Sequence, residues 1–196
     1  MNIEHFEAIG HFLAYYRSDL FYINEFKKYQ TGYISDKDYI SRNQGSFYTF
    51  LVEFRVVRNF AAGQVQSLLE ETTRFIELNS LPNVDEFALK LSQTDLTRKK
   101  IVTSMASKIL FLNNPCSIIP MDSRGRRTLG QKVNIYNIYN QNVYEYITKN
   151  ENNIREILDY VKPITNIIHQ EFPLLKNIDL IAKNRIIDKL LWTSGK

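Results

Sequence analysis

The chain has 196 residues, 44% of them hydrophobic and 13% aromatic, which suffices for one folded domain with a sizeable core and excludes wholesale disorder. Its 25 lysines and arginines against 21 acids give a net charge of +4, an excess that permits polyanion binding without requiring it. The single cysteine, Cys116, excludes an internal disulfide and a four-cysteine zinc or iron–sulfur site, and the three histidines lie far apart, so neither a metal nor another cofactor is expected.

Glycine and proline are scarce, at seven and five, and long helix-compatible runs separate them. The expectation is an all-α fold: one compact multi-helix domain over residues 1–196, with possible lobes 1–92 and 93–196 and a cleft between them. Glu4 to Arg17 reads as a helix with Phe6, Ile9, Leu13 and Tyr16 on one stripe. Its Glu4, His5, Glu7 and His11 argue against a secretory signal, and no run reaches the about 18 apolar residues of a membrane span. A cytoplasmic protein without membrane contact is therefore expected. Asp19 to Tyr29 continues in the same style. Ser35 suits an N-cap, followed by helical pattern to Phe60 with a break near Gly45 and core spacing at Phe47, Phe50, Leu51, Phe54 and Val57. Another helix follows Gly63. Pro82-Asn83 marks a turn, and Asn83 with Glu86 suggests a capping box.

Thr94 to Leu112 reads as a central buried helix, with stripes at Ile101, Met105, Ile109 and Leu112 and at Val102, Ala106 and Leu110. Its other side carries Lys100, Ser104 and Lys108. Asn113-Asn114-Pro115 ends it, and Ile118-Ile119-Pro120 leads in extended form to a new helix capped by Asp122 or Ser123. Helices over Tyr144 to Asn150, Ile154 to Gln170 and Ile178 to Trp192 complete the set, with Pro163 starting or kinking the second of them.

The segment Ile119 to Arg127 sets one acid, Asp122, among Arg124, Arg126 and Arg127, with Lys132 just beyond. Guanidinium groups beside a helix start suit the phosphates of a nucleic-acid backbone. Phosphate repels a carboxylate, so Asp122 needs either a structural partner, such as its own helix and a neighbouring arginine, or a chemical task.

A buried helix ending in Asn/Pro, then Pro-Met-Asp, then a helix with arginine five residues after the aspartate, resembles the helix-hairpin-helix DNA glycosylase superfamily. The motif Val-Asp-Thr-His-Val-x-Arg is matched by Met121, Asp122, Ser123, Arg124, Gly125, Arg126 and Arg127, with Arg124 in place of histidine. The resembling core spans about Thr94 to Lys132, and Arg185-Ile-Ile-Asp188-Lys-Leu-Leu-Trp192 is similar to the ending of small bacterial relatives. The family's Leu-Pro-Gly-x-Gly hairpin is replaced by Leu96-Thr97-Arg98-Lys99-Lys100, whose charges stand where backbone amides would grip phosphate. The lysine of bifunctional members falls nearest Ser104, with Lys100 and Lys108 one turn to either side, and the iron–sulfur loop is absent.

The resemblance implies a monofunctional DNA glycosylase that extrudes a damaged or modified base from duplex DNA and hydrolyses its N-glycosidic bond. It implies Asp122 as the carboxylate stabilising an oxocarbenium-like sugar, with Lys108 as a second catalytic candidate. Arg124, Arg126, Arg127, Lys132, Arg98, Lys99 and Lys100 would hold phosphates, and Tyr136 and Tyr139 would line the base pocket. A non-catalytic nucleic-acid-binding protein on such a scaffold, or a helical interaction protein, are the alternatives. Among other residues, Arg55 and Arg58 are expected as a snorkelling surface pair, the alternative being an Arg58 turned towards Asp122 or a phosphate. Lys108 is expected to pair with an acid, Arg185 with Asp188, and Trp192 to fasten the C-terminus to the core.

Overall fold

The computed structural model describes residues 1–42, 45–60, 63–79 and 83–196. Among them there is no strand, and ten α-helices carry the fold. Helix α1 (Ile3–Gln30) runs unbroken where two successive segments were expected. No glycine or proline interrupts residues 11–30, so nothing local stops it. It buries Phe12, Tyr16, Leu20, Ile23 and Phe26, whereas Phe6 lies outside this face, 48% exposed.

Helix α2 (Asp36–Ile40) starts at Ser35, whose hydroxyl accepts the Asp38 amide at 3.2 Å. Gly45 caps α3 (Ser46–Glu53), which ends sooner than the pattern to Phe60 implies. Arg55 enters the left-handed region at φ 56°, and the Val56 amide turns back to Leu51 O at 2.7 Å. Helix α4 (Val65–Leu78) follows Gly63. Pro82 lies outside the described residues. Asn83 accepts the amides of Asp85 and Glu86 and opens α5 (Val84–Ser92).

Helix α6 (Thr103–Asn113) is the central helix, but it begins nine residues later than expected. A 3₁₀ turn at Asp95–Thr97 precedes it, and Arg98 and Lys99 both hold positive φ, at 52° and 59°. Lys100 therefore shares no helix face with Ser104 and Lys108, and Ile101 is 56% exposed rather than core. From Met105 onward the expected burial holds, with Ala106, Ile109, Leu110, Phe111 and Leu112 inaccessible to solvent. Helices α5 and α6 thus form a packed pair joined by a basic turn.

Asp122 caps α7 (Ser123–Thr128). Helix α8 (Tyr136–Lys149) starts eight residues before the expected Tyr144, because its first amides are satisfied from a distance. Asp85 of α5 accepts the Tyr136 amide at 2.8 Å and the Asn137 amide at 2.9 Å. Helix α9 (Glu151–His169) runs through Pro163, and α10 (Ile178–Ser194) closes the chain. Helix α10 packs along α1, against α9 and beneath α7. The core therefore crosses the 92/93 boundary at which lobes were expected. Among the described residues, no helix is long and apolar enough to cross a membrane.

Candidate functional site

A cleft of about 1190 Å³ opens between α1, the Phe54–Asn59 turn, α6, α7 and α10. It exceeds the roughly 300–1,000 Å³ of an ordinary small-molecule pocket. Among the described residues, seven lysines and arginines and four acids line it. Two of the acids are engaged at its floor. Arg185 Nε donates to Asp19 Oδ2 at 2.7 Å, and Arg185 Nη1 lies 3.1 Å from Asp188 Oδ2. The expected Arg185–Asp188 pair is therefore part of a larger cluster, packed over Phe111 and Phe54. Burial opposes the Arg185 charge, but the two carboxylates outweigh it and raise its pKa. In contrast, Arg55, Arg58, Arg124 and Arg126 make no ion pair with a described residue.

Asp122 lines this cleft. Its Oδ1 accepts the Gly125 amide at 2.7 Å, the N-cap bond expected from sequence, while Oδ2 accepts no hydrogen bond from a described residue. Two serines of α6 set its place. Ser104 Oγ donates to Met121 O at 2.7 Å, and Ser107 Oγ accepts the Met121 amide at 3.0 Å and donates to Ser104 O at 3.0 Å. The backbone just before the aspartate is thus bolted to the central helix.

Lys108 also faces the cleft, but it does not pair with an acid as expected. Its Nζ donates to Phe54 O at 2.9 Å and so ties α6 to the end of α3. Burial lowers its pKa, and the charges of Asp122 and Asp188 act the other way. Arg124 and Arg126 line the cleft with them. The Arg124 guanidinium lies over the Trp192 indole, 4.0 Å from the ring centre, and Arg126 reaches Lys132 O at 3.3 Å and Val133 O at 3.4 Å.

The other candidates lie elsewhere. Arg127 Nη1 donates to Gly195 O at 2.8 Å, which fastens α7 to the C-terminus. Lys132 is exposed beyond the cleft, and so are Arg98, Lys99 and Lys100 in the α5–α6 turn. Tyr136 and Tyr139 are buried beneath the floor, not placed for stacking on a base. The Tyr136 hydroxyl accepts the Ile119 amide and donates to Ile119 O, both at 3.1 Å, and the Tyr139 hydroxyl donates to Pro120 O at 3.4 Å. Burial pushes both phenols above their ordinary range, so they remain neutral donors. Their effect on the site is indirect: they shape the extended segment that delivers Asp122.

Several lining residues were not singled out from sequence for this cleft. Arg55 and Arg58 are exposed, as expected of a surface pair, and both also line this cleft, on the side of the alternative that turned Arg58 towards Asp122 or a phosphate. Asp188, Lys189 and Trp192 join Arg185 on one side of α10, and Trp192 lies at the cleft edge. Their spacing of three, four and seven residues was the available signal, a polar stripe on an otherwise apolar helix. Asp19 carried no such signal, since its partner lies 166 residues away. No protein-family model, curated protein or solved structure matches the chain.

Proposed function

We propose that the cleft holds a nucleic-acid strand and that Asp122 acts at the sugar of a nucleotide extruded into it, cleaving the N-glycosidic bond of a modified base. The observation that carries this reading is the position of Asp122 in the wall of the cationic cleft with Oδ2 left open. An acid with only a structural role caps its helix and can also pair with one of the neighbouring arginines. Here the structure spends Asp122 Oδ1 on its helix and leaves those arginines to the cleft.

The chemistry follows from charge. As the C1′–N bond breaks, the base leaves with the electron pair and takes up a proton, and the sugar becomes cationic. A fixed carboxylate stabilises that cation, and water then adds to C1′ and loses a proton. The unpaired arginines neutralise backbone phosphates on either side of the extruded nucleotide. What supports the reading besides is the resemblance itself, carried by the run from the buried helix α6 through Pro120-Met121-Asp122 to the arginines of α7. Ser104, in place of a lysine, favours hydrolysis without a Schiff base.

The test is release of free base from duplexes carrying single oxidised, alkylated or deaminated bases, read by chromatography. Release from at least one class is expected. Tight duplex binding with no release from any class would leave the alternative of a binding protein on the same scaffold.

A further inference from the structure

We propose that Arg124 stacked on Trp192 forms a phosphodiester subsite of the cleft, with Trp192 as the positioning residue that presents the guanidinium. The proposal deepens the nucleic-acid reading and rests on it. The Arg124 guanidinium centre lies 4.0 Å from the indole ring centre, and its side chain donates no hydrogen bond to a described residue. Stacking occupies the flat face of a guanidinium and none of its N–H groups. An arginine held in this way keeps its whole donor edge available for the paired oxygens of a phosphate. It also has no carboxylate within ion-pair distance among the described residues, so its charge awaits an anion from outside.

The surroundings hold the stack still. His11 of α1 packs edge-on against the indole at 4.7 Å and 78°, which confines Trp192. Helix α7 is locked to the end of α10 by Thr128 Oγ1 donating to Leu191 O at 2.6 Å and by the Arg127–Gly195 bond. Even Gly195 is pressed so close to Arg124 O that no Cβ fits there. The two residues of the stack therefore belong to one rigid unit, in which Arg124 stands two positions along the chain from Asp122. A side chain ordered before binding loses less entropy when it grips a ligand. A nucleic-acid phosphodiester is the occupant that the cleft favours, since Arg55, Arg58 and Arg126 line the same cleft and offer partners to further phosphates of one backbone.

Trp192 is the chain's single tryptophan, so its emission reports the stack directly. Binding of a short fluorescent-labelled duplex is measured by anisotropy across a salt series, and tryptophan emission is followed with an unlabelled duplex and, separately, with inorganic phosphate. The expected result is an emission change on duplex binding that Arg124→Gln abolishes. Arg124→Gln should weaken binding about tenfold and lower the salt slope by about one. Trp192→Leu should weaken binding to a similar degree, and the double variant should be no weaker than the worse single one. Trp192→Phe, which keeps a ring beneath the guanidinium, should recover most of the loss. Unchanged affinity and slope in Arg124→Gln, with tight binding by the parent, would overturn the subsite and leave the Asp122 reading standing. Additive losses would overturn the positioning role of Trp192. An emission change with inorganic phosphate as strong as with duplex would replace the phosphodiester by a free anion, and absence of duplex binding by the parent would overturn subsite and functional reading together.

Discussion

The Tyr139 hydroxyl lies where a side chain at position 125 would begin, 2.8 Å from a Cβ built on Gly125. Tyr139 is fully buried and cannot step aside cheaply. Gly125 in turn supplies the amide that Asp122 accepts, so one close approach connects the core to the candidate site. Gly125→Ala should cost about 1–3 kcal/mol of stability. Tyr139→Phe removes the colliding oxygen, so the same substitution should cost clearly less in that background. Thermal denaturation of the four proteins of this cycle measures the coupling, and equal costs in both backgrounds would count against the contact.

The Asp19–Arg185–Asp188 cluster should dominate the polar contribution to the α1–α10 interface. Asp19 and Arg185 are each 2% exposed and joined at 2.7 Å. Removing Arg185 leaves the Asp19 charge buried without a partner, at a cost of about 3–5 kcal/mol, whereas removing Asp19 leaves Arg185 its second partner, Asp188, and should cost less. Arg185→Met should therefore lower stability in denaturant titrations far more than the loss of an exposed pair such as Arg17–Glu171, which is worth about 0–1 kcal/mol.

Lys108 gives stability an alkaline pH dependence. Burial lowers its pKa in the folded chain, so the unfolded chain binds more protons between that lowered value and the ordinary lysine value of about 10.4. Stability contributed by this group therefore rises with pH across that window. Lys108→Met should flatten the rise in denaturation measured over alkaline pH, and an identical slope in both proteins would contradict the assignment.

His169 acts on the acid side. Its Nε2 lies 2.8 Å from the hydroxyl of buried Tyr16, and burial lowers its pKa against the opposing charge of Asp179. The unfolded chain takes up the proton first, so stability falls as pH drops through about 6.5 towards the lower folded value. His11, lowered by burial and by nearby cations, adds a contribution of the same sign. Replacing His169 by glutamine should reduce the loss between neutral and mildly acidic pH, and adding His11→Gln should reduce it further; an unchanged loss in His169→Gln would contradict the assignment.

The helical fold was legible because helical periodicity and side-chain capping are local. Ser35, Asn83 and Asp122 cap the helices they were expected to cap. What escaped was set by distant partners or by backbone turns without a glycine signal. The start of α8 depends on Asp85, 51 residues earlier, and the late start of α6 depends on Arg98 and Lys99 taking positive φ. The candidate site divides the same way. Asp122, Arg124 and Arg126 are close in sequence and meet at the cleft, whereas Tyr136 and Tyr139, expected to line a base pocket, are buried with their hydroxyls paired with residues 119 and 120, contacts that spacing does not encode. Lys108 finds a carbonyl on α3's end rather than an acid, a contact 54 residues long that spacing does not encode.

Asp122→Asn separates chemistry from folding, because asparagine serves the N-cap about as well as aspartate. The decisive measurement is the single-turnover rate of base release by the parent and by Asp122→Asn, each saturating the same modified duplex. The account predicts a drop of about a hundredfold or more with duplex affinity and melting temperature retained. Equal rates in the two proteins would contradict a catalytic carboxylate at this position.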